Sequence, residues 1–75
     1  MHLRPLRPQP WTVAVRKALI NWGQPEEEAA AIARRVEGGG TVTDVVLKWV
    51  SADLEELVID QFEVYGVEVT KTAGG

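Results

Sequence analysis

The chain has 75 residues, one histidine, no cysteine and a formal net charge of −3. Those numbers allow one small domain with a modest core, and they exclude disulfides, thiolate zinc sites, a histidine-based triad and a multi-histidine metal centre within one chain. Charge is uneven: residues 1–40 carry six Lys/Arg and four Asp/Glu, a net +2, whereas residues 41–75 carry two Lys and seven Asp/Glu, a net −5.

Residues 1–10, Met-His-Leu-Arg-Pro-Leu-Arg-Pro-Gln-Pro, place prolines at 5, 8 and 10. Proline fixes φ and removes a donor, so neither helix nor central strand is expected, and the segment reads as an extended Pro/Arg-rich arm. Pro5 and Pro8 make a PxxP spacing of the kind aromatic-grooved domains bind. Only Leu3 and Leu6 are strongly apolar, so the arm is expected to serve binding and not folding. No apolar run follows the arginines and no stretch is long enough to span a bilayer, so a soluble, cytoplasmic chain without a signal peptide is expected.

Residues 11–72 are expected to form the globular domain and 73–75 a flexible tail. Trp11, Val15, Ala18, Leu19 and Trp22 recur at helical spacing over 11–22, and Gly23 is a stop. Val13 and Ile20 fall off that stripe, and the alternation Trp11, Val13, Val15 also permits a strand start. Residues 25–37 read as a helix: Pro25 suits its start, Glu26–Glu28 and Arg34–Arg35 suit the two ends of its dipole, and Gly38–Gly40 end it. Ala29, Ile32, Ala33 and Val36 are its buried stripe.

Residues 41–50 admit two readings. Thr41-Val42-Thr43-Asp44 resembles a capping box before a helical stripe. The β-branched content and the alternation of Thr43, Val45, Leu47 and Trp49 favour a strand. Residues 51–65 form a helix capped by Ser51, with Leu54, Leu57, Val58, Phe62 and Tyr65 inward and Gly66 as its end. Residues 67–71 read as a short strand, whose obvious partner is 41–50. The expected fold class is therefore α+β: a small, helix-dominated domain with two or three helices on a minimal sheet of 41–50 with 67–71. The alternative is all-α with a helix-turn-helix.

Functional signals lie on surfaces. Asp53, Glu56, Asp60 and Glu63 sit at i, i+3, i+7 and i+10, an acidic face with no cation on the same helix. Arg4 and Arg7, held apart on the proline scaffold, would complement such a face on a partner or on a second copy. These six residues are the candidate partner-binding set. The tryptophans at 11, 22 and 49 suit core packing, with an aromatic interface anchor as the alternative for one of them. No two carboxylates are marked as sharing a pocket, Ser51 has no histidine to activate it, and Gly38–Gly40 lack the Lys-Ser/Thr of a phosphate loop. No catalytic residue, metal ligand or cofactor is expected.

Val36-Glu37-Gly38, the capped stretch Ser51–Gly66, and Val67-Glu68-Val69 give an order of elements that resembles the C-terminal domain of the bacterial ribosomal stalk protein and the related Clp adaptor fold. The loop before Ser51 and the second helix are longer here, and the stalk domain's lysine-rich helix is unmatched. The resemblance implies an α+β layout and carries over no functional residue. The expected function is a non-catalytic protein-interaction or assembly subunit of a phage or bacterial complex, working with a protein partner or by self-association. A DNA-binding helix-turn-helix regulator is disfavoured, because Lys48 is the lone cation of the would-be recognition helix and Asp44 offsets it. A ubiquitin-like carrier, suggested by Gly74-Gly75, is the third reading.

Overall fold

In the computed structural model, which describes residues 1–71, the elements run β1 (His2–Pro5), α1 (Thr12–Asn21), α2 (Glu26–Glu37), α3 (Glu55–Val64) and β2 (Val67–Thr70), with a short 3-10 turn at Ala52–Leu54 leading into α3. The α+β class is as expected. The helices form where apolar spacing and end charges agree. α1 buries Val15, Ala18 and Leu19; α2 buries Ala29, Ala33 and Val36 between an acidic first turn and a basic last turn. α1 stops at Gly23, whose φ of +107° is open to glycine. A Cβ there would also meet the Lys48 Cβ at 3.1 Å, because the α1–α2 turn packs on the 48–49 backbone. α2 stops at the glycine run, where the Gly38, Gly39 and Gly40 amides donate back to Arg34, Val36 and Arg35 carbonyls.

The sheet is two-stranded and antiparallel, with Leu3 opposite Val69 and Arg4 opposite Glu68. Its first strand comes from the segment expected as an arm. Leu3 is completely buried, in one cluster with Val15, Leu19, Val36, Val58, Phe62, Val67 and Val69. The expectation that residues 1–10 stand apart from the fold is thus corrected. The prolines do not prevent this, for a reason of register. The Leu3 amide and carbonyl both bond Val42, on the side away from β2, and the Leu6 amide bonds the Gly66 carbonyl on the β2 side. Alternation then aims the position-5 amide away from β2, so proline there removes no ladder bond. Residues 6–10 leave the sheet and lead to Trp11, whose amide donates to the Tyr65 carbonyl at 2.8 Å.

Residues 41–50 are neither the strand paired with 67–71 nor a helix, which corrects both readings and leaves the helix-turn-helix without its second helix. The segment instead lines the free edge of β1. Val42 makes an isolated antiparallel bridge with Leu3, and Met1 and Val45 exchange both backbone bonds, at 2.8 and 2.9 Å. Between those two pairings the 42–45 side holds one residue more than the 1–3 side, and Asp44 takes a φ of +58°. That extra residue acts as a bulge and ends regular pairing. The alternation survives in burial, with Val45 and Leu47 inward and Val46 and Lys48 outward.

The segment is also held from the helix side. Gln24, a buried polar residue, donates its amide to the Val46 carbonyl at 3.1 Å, and the Trp49 amide donates to the Trp22 carbonyl at 3.1 Å. Among the described residues every buried side-chain nitrogen and oxygen has a hydrogen-bond partner. No helix among them is long and apolar enough to cross a membrane. The expected tail, with Gly74-Gly75, lies outside the described residues.

Candidate functional site

Of the six residues expected to bind a partner, Asp53, Glu56, Asp60 and Glu63 are exposed along the α3 stretch, and Arg4 and Arg7 lie on β1 and just after it. Arg4 pairs with Glu68 across the two strands at 2.9 Å, with both side chains largely in solvent. Arg7 lies over Gly66, so closely that a Cβ at Gly66 would stand 2.5 Å from its Nε. Arg4 is thus engaged within the chain, whereas Arg7 is exposed and makes no ion pair among the described residues. Glu56 is taken up by Lys71, which donates to it at 3.1 Å and lies 3.6 Å from Glu55. The Glu56 hydrogen bond and then the Glu56 charge, partly offset by desolvation and helped by weaker Glu55 contributions, raise the Lys71 pKa above the ordinary 10.5. The acidic helix therefore does receive a cation, from the end of β2. Asp53, Asp60 and Glu63 are exposed and make no ion pair among the described residues. Asp60 and Glu63 flank Val64 in a shallow hollow.

The most unusual surface lies elsewhere. α1 and α3 leave an open groove of about 430 Å³, with Trp11, Ala14, Lys17 and Asn21 on one wall and Gln61 and Tyr65 on the other. Trp11 and Tyr65 meet edge to face at 5.7 Å. Trp22 donates its indole N–H to Gln61 Oε1 at 2.9 Å, tying the end of α1 to α3. Four large apolar side chains crowd the groove and its α3 rim while remaining mostly in water: Trp11 is 59% exposed, Val13 53%, Leu57 55% and Val64 72%. Leu57, Gln61 and Val64 fall at i, i+4 and i+7, so the groove wall and the apolar rim are adjacent stripes of α3.

The chain matches no family model, no curated protein and no solved structure. The resemblance to the stalk-protein domain thus gains no support from these comparisons, and the groove must be read from its own residues. Beyond the apolar rim of α3 comes Asp60, then Glu63. At the outer edge of the α1 wall stands Lys17, and beyond it comes Arg16, which lines a second hollow with Thr12, Arg34 and Glu37 of the α1–α2 side. Lys17, Arg16 and Arg34 make no ion pair among the described residues. The face is therefore an apolar band with Lys17, Arg16 and Arg34 along one border, where Glu37 joins them, and Asp60 and Glu63 along the other. Among the described residues no three His, Asp or Glu side chains gather as metal ligands.

Two of the three tryptophans depart from the expected core role: Trp11 and Trp49 are exposed and Trp22 is half-buried. Leu57, expected inward, faces water. A signal was present in the sequence. Val13 and Ile20 lie off the α1 stripe, and Val64 lies off the α3 stripe, so both helices carry more apolar positions than one buried face can use.

Proposed function

We propose that the chain is a non-catalytic protein-interaction module, an assembly subunit that docks through the α1–α3 face. The supporting observation is the concentration of Trp11, Val13, Leu57 and Val64, all more than half exposed, around one groove of a 75-residue chain. Large apolar side chains grouped on a small surface are the usual mark of an interaction site, and aromatic residues are the usual anchors. The groove suits docking more than chemistry. Its polar side-chain groups are one amine, two amides, a phenol and an indole N–H, and none forms a nucleophile–base pair with another. The cysteine-free composition is compatible with a reducing compartment, and the cytoplasm of a bacterial or phage-infected cell is the proposed setting.

The test is a pair of baits, the unaltered chain and Trp11→Ser/Val64→Ser. Val64 is 72% exposed, whereas Trp11 also meets Tyr65 edge to face, so the double variant is expected to melt somewhat lower than its parent, and circular dichroism checks that it is folded. A protein held by the parent and lost by the variant supports the reading. Equal retention by both contradicts it.

A further inference from the structure

We infer that the occupant of the α1–α3 face is a second copy of this chain, bound with two-fold symmetry. The inference rests on the docking function proposed above and names its partner. What identifies the partner is the order of residues across the face. From the α3 side the sequence of stripes is Glu63 and Asp60, then Leu57 and Val64, then Gln61 and the groove, then Ala14, then Lys17 and Val13, then Arg16. The exposed members are acidic on one border, apolar in the middle and basic on the other.

Such a face is complementary to itself. A two-fold axis laid along the groove places the α1 crest of each copy over the α3 crest of the other, so every contact occurs twice. Val13 and Trp11 of one copy then meet Val64 of its mate, at the end of the groove where Trp11 touches Tyr65, while Leu57 lies toward the Trp22 end. Lys17 of one copy meets Asp60 of the other, with Arg16 and Glu63 behind them. All four charged groups lack an ion pair among the described residues, so pairing across the interface breaks nothing within the chain. A basic or an acidic partner protein would satisfy one border and face like charge at the other, which is unfavourable. A second copy satisfies both.

Size limits the strength. A standard interface removes roughly 800 Å² per partner, about a sixth of the 4792 Å² surface of this domain. One groove with two short helix crests is expected to supply less than that. The dimer should therefore be a reversible one, seen at high micromolar to millimolar concentration and weakened by salt.

The experiment is analytical ultracentrifugation of the full chain and of Lys17→Glu, Asp60→Lys, their equimolar mixture and the double variant. The parent should show a concentration-dependent monomer–dimer equilibrium. Each single variant sets two like-charged pairs face to face and should weaken dimerisation by roughly tenfold or more. The mixture should recover the parental equilibrium, because the glutamate introduced in one variant then meets the lysine introduced in the other, while the unaltered Lys17 meets the unaltered Asp60. The double variant should recover it too. Circular dichroism checks that each variant is folded, and the exposed Val64→Ser is a second, uncharged way to weaken the contact. A parent that stays monomeric at millimolar concentration overturns the inference. So does a dimer insensitive to Lys17→Glu, Asp60→Lys and Val64→Ser alike. In either case the docking function survives if the bait pair still separates a heterologous partner, and it falls as well if that pair does not.

Discussion

Leu3 shows most directly how position overrides composition. It sits among three prolines and two arginines, yet it is fully buried and hydrogen-bonded on its outer side to Val42. Truncating a buried leucine costs about 2–5 kcal/mol, a large share of the stability of a domain this small. Leu3→Ala is expected to lower the urea midpoint sharply, whereas Leu6→Ala, at a half-exposed position, should shift it little. Equal effects would contradict the placement of β1. Gly66 is a second test at this scale. Its φ is +85° and Arg7 occupies the space a side chain would need, so Gly66→Ala should destabilise by about 1–2 kcal/mol, read by chemical denaturation. The third concerns Lys71. Its folded pKa is raised, so its pairing with Glu56 and Glu55 stabilises the fold fully below the ordinary lysine range and is lost as pH rises through the elevated value. The stability difference between the parent and Lys71→Met should therefore stay level through neutral and mildly alkaline pH and shrink in strong alkali. A difference that grows with pH would reverse the sign and contradict the assignment.

At the scale of elements, periodicity was informative and pairing was not. All three helices were legible, because each combines a buried stripe with a glycine stop, and β2 was legible as Val67 and Val69 alternating with polar residues. β1 was hidden, because Pro5 argues against a strand unless the register is known, and register is a property of two segments together. Residues 41–50 misled for the complementary reason. Their alternation does record one buried side, Val45 and Leu47, but the extra residue at 42–45 breaks the ladder that alternation would predict. The candidate site was partly legible. Asp60 and Glu63 belong to the acidic face read from the sequence and border the groove, whereas Arg4 pairs with Glu68 and Arg7 lies over Gly66. Trp11 and Leu57 were hidden because helical spacing tells which residues share a side, but not how wide a strip the rest of the fold covers. One expectation follows for β1: a chain lacking residues 1–5 should lose cooperative unfolding in a thermal melt, and a cooperative melt near the parental midpoint would contradict its role in the core.

For the whole molecule, the uneven charge of the sequence becomes spatial. The cations Arg16, Lys17 and Arg34 lie on the α1–α2 side, the anions Asp60 and Glu63 on α3, and an exposed apolar groove separates them. On the proposed function this face docks and the rest of the surface does not. The two exposed tryptophans allow that to be tested within one sample, since Trp11 lines the groove and Trp49 does not. The measurement is a dilution series followed by two-dimensional NMR of backbone amides and indole N–H groups. Shifts should move with concentration at Trp11, Val13, Lys17, Leu57, Gln61 and Val64, while the Trp49 indole and the β1–β2 amides stay still. Movement centred on Trp49 and Val46, or on the strands, with the groove residues unchanged, would contradict docking through the α1–α3 face.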